Sequence, residues 1–350
     1  MSRLRALAPP PRLVDFSILV LVLAELASGL VSLVSGRPSG WWVFALHSIG
    51  GLLLLVMVAW KLARVRHRVL DRAKWTPGTR VSIALSVLAL SALLTGIAWV
   101  FGLVQWVGPW PLVFIHAVLG VSIIPVLLWH LRHRFRLPSS RDVQGRRTAI
   151  QYGVTAVAAV LAWRVQNVVD TLTGDARRFT GSREEGSADG NDFPVTSWVA
   201  DDPDPVDREA WSLRVDGATE RSLALEYADV APEAEREATL DCTSGWYSSH
   251  DWQGVRVGAL LDAVEPTEDA AYVRFRSVTG YRWTLPIEEA RDALLATHVD
   301  GERLSHGHGA PLRLVAPGRR GFQWVKWVTA VDVRRNQDPA QWVAVFVSGL

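Results

Sequence analysis

The sequence predicts a chain of two unlike parts, an all-α bundle of five membrane-crossing helices followed by an α+β domain. Three observations predict it. Up to about residue 170 the chain is built of apolar runs of about 20 residues, each long enough to cross a bilayer as a helix. Beyond that point the composition turns acidic and rich in turn formers, and from residue 193 short runs of strand character alternate with turn signals. The expected boundaries are a helical domain at 1–170, a flexible linker at 171–192, the α+β domain at 193–337 and an apolar tail at 338–350. A formal net charge of +2 gives no electrostatic footprint for nucleic acid, so no nucleic-acid partner is expected. A single cysteine excludes an intramolecular disulfide, and nothing in the sequence specifies an oligomeric state.

The five apolar runs cover residues 13–34, 41–60, 81–104, 111–131 and 149–169, the last being the weakest because it is rich in alanine and valine. Basic residues fall in the N-terminal tail (Arg3, Arg5, Arg12) and in the segments 61–80 and 132–147. Arg37 stands alone in the first opposite loop, and residues 106–111 have no basic residue. The positive-inside rule then places the N-terminus in the cytoplasm, and five crossings leave the C-terminal domain extracytoplasmic, a multi-pass arrangement in the cell membrane. Trp41, Trp42, Trp106 and Trp110 on one side, with Trp60 and Trp129 on the other, suit interfacial aromatic belts. The first run is long and pairs with the second, so it is not read as a cleaved signal peptide.

The first helical hairpin reads as a diverged copy of the second. His47 and His116 each lie six residues after a tryptophan (Trp41, Trp110) and thirteen before another (Trp60, Trp129), which is followed by Leu62 or Leu131 and a basic cluster. Gly29 and Gly96 correspond in the preceding helices. Repeats of this kind place ligand sites between their halves. Equal offsets from the outer tryptophans put both histidines about 9 Å below the interface, and two imidazoles at one depth can sandwich a haem iron. Gly50 and Gly51 follow His47, and Gly120 follows His116, on the histidine's own helix face, where small residues leave room for a flat porphyrin. In this pattern the helical domain resembles the membrane-embedded b-type cytochromes that exchange electrons with quinones. The resemblance implies haem b bound by His47 and His116, with the quinone pool and the lipid bilayer as partners.

His130, fourteen residues after His116, returns to nearly the same face, but its counterpart is Lys61, so one haem is expected rather than two. His67, His130 and His133 are assigned to the basic cytoplasmic rim. Glu25 falls near mid-membrane, where a carboxyl is costly. Two readings stand side by side, a proton relay at a quinone site and a neutral carboxyl bonded to a neighbouring helix. Arg146 and Arg147 ahead of the fifth run resemble a degenerate twin-arginine export signal, although topology alone also asks for arginines there.

In the α+β domain, strand-like runs at 211–215, 272–275, 312–315 and 328–333 meet turn signals, and helical pieces are expected at 257–264 and 287–295. The chemistry lies in two motifs. The lone thiol stands in Asp241-Cys242-Thr243-Ser244-Gly245-Trp246; some seventy residues later follow His308-Gly309-Ala310-Pro311-Leu312-Arg313 and then Lys326-Trp327. A thiolate is a soft donor suited to a transition metal, and a basic glycine-rich segment suits an anionic cofactor tail. Together with 252–261 and Gly280-Tyr281, these motifs resemble, in order and over almost the whole domain, the molybdopterin domain of the sulfite oxidase family.

The resemblance implies a molybdenum-molybdopterin cofactor with Cys242 as the single protein ligand to molybdenum and as the catalytic position. His308, Arg313 and Lys326, with Ser244, Gly309 and Gly321, would hold the pterin. Sulfite oxidases proper also carry an Arg-Asn-His-like element near the start of the domain. Asn191-Asp192-Phe193-Pro194-Val195-Thr196-Ser197 offers no such arginine or histidine, which disfavours sulfite as the small-molecule substrate. Tyr247, His250 and Tyr281 are read as structural neighbours of the metal. The function expected is a membrane-bound molybdenum oxidoreductase exchanging electrons with quinone through haem b. The alternatives are a fused reductase of methionine sulfoxide or other S-oxides, and a non-catalytic electron carrier or redox sensor.

Overall fold

A backbone that leaves water must satisfy its own N–H and C=O groups, which an α-helix does within one segment. In the computed structural model each apolar run is a helix: α1 (Pro11–Ser32), α2 (Trp41–Leu70), α3 (Pro77–Val100), α4 (Leu112–Arg134) and α5 (Arg146–Leu172). All five are long and apolar enough to cross a membrane. The structure describes residues 8–134, 137–139, 142, 145–172, 174, 177–197 and 201–347. Arg3, Arg5, the side chain of His133 and the last three residues of the tail lie outside these. The chain forms two compact units, Met1–Gly181 and Ser182–Leu350.

In the first unit, Pro11 and Pro77 open α1 and α3 where a missing N–H costs nothing, and Thr76 caps α3 by accepting from the Thr79 N–H at 3.3 Å. α3 ends four residues earlier than its apolar run because Phe101 leaves the helical region and Gly102 turns left-handed (φ +64°). A two-rung hairpin, β1 (Trp106–Val107) and β2 (Trp110–Pro111), then leads into α4. α1 packs on α2 and α3 on α4, joined through Val22, Leu54, Val58, Ala89, Ala92, Ile123 and Leu127. Trp41, Trp42, Trp106, Trp110 and Trp129 are exposed. Trp60 departs from the expected belt: it is buried against Val14 and Met57, because the α1–α2 contact covers it.

Among its described residues the second unit holds two sheets. In the first, β7 (Trp246–Arg256) pairs with β3 (Arg183–Glu184), β6 (Ala234–Asp241) and β10 (Leu294–Val299), and β10 also takes β11 (Glu302–Arg303) and β12 (Arg313–Val315). The second runs β5 (Leu223–Glu226), β4 (Ser212–Gly217), β13 (Val328–Arg334), β8 (Tyr272–Ser277), β9 (Arg282–Pro286), with β4 and β13 parallel. Alternation buries Trp246, Ser248, His250 and Trp252 along β7, and Val273 and Phe275 along β8. Helix α6 (Val257–Val264) buries Val257, Leu260, Leu261 and Val264, one stripe at helical spacing.

Three expectations are corrected here. The helix expected at 287–295 stops as α7 (Ile287–Arg291); Leu294 and Leu295 belong to β10, where a place between β7 and β12 overrides the helix preference of leucine. The linker does not extend to residue 192. From Ser182 the chain is part of the fold: the Arg183 N–H donates to Gly245 O at 3.0 Å, and β3 runs parallel to the start of β7. The apolar tail is not separate either, since helix α8 (Gln341–Val347) buries Gln341 and sets Trp342 edge-on to Trp283 at 5.0 Å.

Candidate active site around Cys242

Cys242 follows directly on β6, and the turn to β7 returns through Gly245, whose φ of +94° suits only glycine. The Cys242 N–H donates to Trp246 O at 2.9 Å and the Gly245 N–H to Cys242 O at 3.1 Å, which fixes the loop as a tight turn. Cys242 is 7% exposed and belongs to the buried core cluster of this unit, beside Leu240 and Trp246, with two polar groups reaching its sulfur. Its sulfur is 3.3 Å from Thr196 Oγ and 3.5 Å from the Ser244 backbone N, so Ser244 meets the cysteine through its main chain.

Behind the cysteine lies a buried ion pair absent from the sequence reading. Arg320 Nη1 is 2.6 Å from Asp241 Oδ1, Arg320 Nη2 donates to Cys242 O at 3.1 Å, and Ser182 Oγ donates to the same Asp241 oxygen at 2.8 Å. Gly321 follows, and a Cβ there would lie 3.1 Å from Cys242 Cα. Gly321 thus admits the cysteine's backbone, where cofactor approach was expected. Gly309 (φ +108°) does the same for Lys326, whose Cβ would be 3.0 Å away. The only sequence signal for the ion pair is an aspartate before the cysteine and an arginine before a glycine, patterns too common to single out.

Arg313 begins β12 and is buried at 3% exposure. Its guanidinium carbon lies 5.5 Å from the Trp252 ring centre and 5.9 Å from that of Trp324. Nη1 donates to His308 O at 2.8 Å, whereas Nε has no partner among the described residues. Burial lowers its pKa to about 10, and the charge of Cys242 acts in the opposite sense. Lys326 is brought down to about 7 by burial and then by Arg313, against the attraction of Cys242, Asp201 and Asp202. Cys242, Arg313 and Lys326 therefore share one electrostatic neighbourhood.

His308 and Lys326 bind protein groups first. His308 Nε2 donates to Phe193 O at 2.9 Å and Nδ1 meets Ser305 Oγ at 2.8 Å. Lys326 Nζ donates to Gly307 O at 2.7 Å, Thr196 O at 2.9 Å and Ser197 Oγ at 3.2 Å. Tyr281 donates its hydroxyl to Phe322 O at 2.5 Å, and His250 is held between Asp300 Oδ2 and Ser248 Oγ at 2.6 Å each. Thr196, Asp241 and Arg320 are the functional neighbours that the sequence did not reveal.

In the helical unit His47 and His116 come together, with ring centres 6.0 Å apart and planes at 87°. Both rings are anchored through Nδ1. His47 Nδ1 is 3.0 Å from Ser28 Oγ and 3.1 Å from Glu25 Oε2; His116 Nδ1 is 2.9 Å from Ala92 O and 3.3 Å from Thr95 Oγ. Gly29 faces the His47 ring and Gly96 the His116 ring. Gly50 and Gly51 instead face the Glu25 carboxyl, which corrects the expectation that they make room for a porphyrin; a Cβ added at Gly120 would meet nothing within 4 Å among the described residues outside its own helix backbone. His130 Nδ1 lies 3.3 Å from Ser82 Oγ, and Lys61 pairs with Asp15 at 3.2 Å.

Comparison with known proteins bears on the second unit. The family model of the oxidoreductase molybdopterin binding domain matches residues 200–342. The uncharacterized oxidoreductase YuiH of Bacillus subtilis (strain 168) is 31% identical over 155 residues, 43% of this chain and 78% of that protein. Among solved structures, the sulfane dehydrogenase SoxCD of Paracoccus pantotrophus is similar at 23% identity with a TM-score of 0.36. That match covers 38% of this chain and 40% of SoxCD, so the chain spans less than half of its length.

Proposed function

The chain belongs to the oxidoreductases that carry a molybdopterin-binding domain, and from that premise we propose a membrane-bound molybdenum enzyme that exchanges electrons with the quinone pool through haem b. That it is an oxidoreductase follows from the family, and the domain implies a molybdenum-pterin cofactor. The residues present fit that cofactor. Arg313 is a buried cation whose Nε has no partner among the described residues, a costly state unless an anion completes it. A soft thiol stands in the same neighbourhood, beneath a hydroxyl and an amide. This pairing of Cys242 with a buried Arg313 whose Nε has no partner among the described residues is the observation that carries the proposal.

Cys242 would be the protein ligand to molybdenum, and Arg313 would bind the anionic part of the pterin by directed N–H donors. His308 and Lys326 would act beside them by fixing the loop around Gly307. Asp241, Arg320 and Ser182 hold the cysteine's backbone in place. When bound, the cofactor supplies the redox change that accompanies oxygen-atom transfer to or from a small substrate.

The helical unit supports haem b. Two imidazoles on one iron, each at about 2 Å with about 1 Å more to the ring centre, stand about 6 Å apart, the separation found for His47 and His116. Anchoring through Nδ1 leaves Nε2 of each ring for iron. The contacts also support a duplicated hairpin. Asp15 and Ser82, Glu25 and Ala92, Ser28 and Thr95, and Gly29 and Gly96 are each 67 residues apart, while His47 and His116, and Lys61 and His130, are each 69 apart. Equivalent contacts recur within each hairpin: Asp15 meets Lys61 as Ser82 meets His130, and Glu25 and Ser28 meet His47 as Ala92 and Thr95 meet His116. The distribution of basic residues supports the reading in which the molybdenum domain is extracytoplasmic.

A reductase of S-oxides is the second reading. Lys326 already donates to three protein acceptors, which favours an uncharged substrate over an oxyanion. One experiment tests the assignment. In purified enzyme Cys242→Ala removes molybdenum and abolishes substrate-dependent haem redox changes while the haem spectrum stays intact; turnover retained by the variant overturns the molybdenum assignment. Haem iron without molybdenum in the wild-type protein identifies a non-catalytic carrier. Screening sulfite, sulfoxides and N-oxides at the haem band separates the enzyme readings.

A further inference from the structure

The segment from Asn191 to Ser197 carries no arginine or histidine, and nothing in its composition marks it as part of a site. The structure nevertheless fastens it across the Cys242 neighbourhood residue by residue. Asn191 accepts from the Ser305 N–H at 2.8 Å and donates to Arg303 O at 3.0 Å. Phe193 lies with its ring centre 3.8 Å from that of His308 and accepts from His308 Nε2. Val195 packs over Gly307, where a Cβ would lie 3.0 Å from it. Thr196 O and Ser197 Oγ both accept from Lys326 Nζ. Between these fixed points, the Thr196 hydroxyl is 3.3 Å from the Cys242 sulfur.

We propose that Thr196 is a positioning residue for the Cys242 sulfur, its hydroxyl donating to the thiolate and so setting how strongly that sulfur donates to the metal. The inference rests on the molybdenum reading above. A metal-bound cysteine is a thiolate with no proton to give, so of the two atoms only the hydroxyl can donate. A hydrogen bond to a ligand sulfur draws electron density from it, stabilises the more reduced metal and raises the reduction potential. Thr196 is well placed for this because its backbone carbonyl is held by Lys326, a side chain that in turn grips Gly307 O at 2.7 Å. The hydroxyl is therefore oriented before any cofactor arrives. The Ser244 N–H, at 3.5 Å, is the weaker second donor.

The test uses full-length enzyme in detergent, with molybdenum measured by elemental analysis and the Mo(V) signal followed by electron paramagnetic resonance during a redox titration. Thr196→Ser keeps the hydroxyl, and is expected to match wild type in metal content and midpoint. Thr196→Val keeps the shape without the donor. It is expected to shift the Mo(V)/Mo(IV) equilibrium about tenfold toward the oxidised side, a midpoint lower by about 59 mV for one electron. Loss of molybdenum from the valine variant alone also supports the proposal. A valine variant that holds molybdenum at the wild-type midpoint overturns it, as does equal loss of metal from both variants. Molybdenum missing from wild type overturns the underlying reading, and this inference with it.

Discussion

His308 is a histidine kept from becoming a cation. Burial, then the charges of Arg313 and Lys326, bring its pKa down to about 3, against the Phe193 carbonyl that favours the proton on Nε2. A depressed pKa means that the unfolded chain binds the extra proton first. The neutral ring's contribution is complete above pH 6.5, the ordinary value, and is lost as pH falls toward 3. Urea unfolding of cofactor-free protein, followed by tryptophan fluorescence, is expected to show stability falling between about pH 6.5 and pH 4. His308→Gln, which can still donate to Phe193 O, is expected to flatten that fall; an equal slope in the variant contradicts the assignment. The motif made His308, Arg313 and Cys242 legible in the sequence, because rare residue types in a fixed order carry information. Thr196 was not legible, since a threonine's meaning here comes from a contact spanning 46 positions that only the folded strap creates.

Among elements, the tie between the end of β6 and the turn after β12 bears the most consequence for the site. Asp241 and Arg320 have side chains only 2% and 6% exposed, so neither charge has water to fall back on. Removing one partner of such a pair costs roughly 3–5 kcal/mol because the other is left buried. Arg320→Met is therefore expected to destabilise the protein by about that amount and to weaken molybdenum retention, as Cys242 O loses one of its two donors. Thermal unfolding and metal analysis check both, and a variant of wild-type stability refutes the tie. Strand β8, which alternates cleanly, was readable in advance, as was the apolar run of β13, which is buried through 330–333. The stretch after Arg291 was not, because leucine suits helix and buried strand alike, and pairing with β7 and β12 decides between them.

At the scale of the whole molecule, the apolar runs were the plainest signal, since spanning length and polarity leave little choice of structure. The pairing of the two histidines was legible from a repeat, but the anchoring of their Nδ1 atoms was not, for it depends on Ser28, Thr95 and a main-chain carbonyl on the opposing helices. On the proposed haem reading, His47→Ala and His116→Ala are each expected to abolish the b-type haem absorbance of the purified protein. Molybdenum content should stay unchanged in both; a normal haem spectrum in either variant removes that residue as a ligand.

The ion pair at Asp15 and Lys61, extended by Arg64 at 2.7 Å, occupies in one hairpin the level at which the other has Ser82 and His130. Charged side chains locked together cannot take up an electron, so among the described residues this level offers no histidine pair for a second stop beneath the proposed haem. Current in the proposed enzyme would run along one leaflet rather than through the membrane. Turnover of that kind would generate no voltage and would be insensitive to uncouplers, so the proposed enzyme would act as a redox valve rather than as a contributor to proton-motive force.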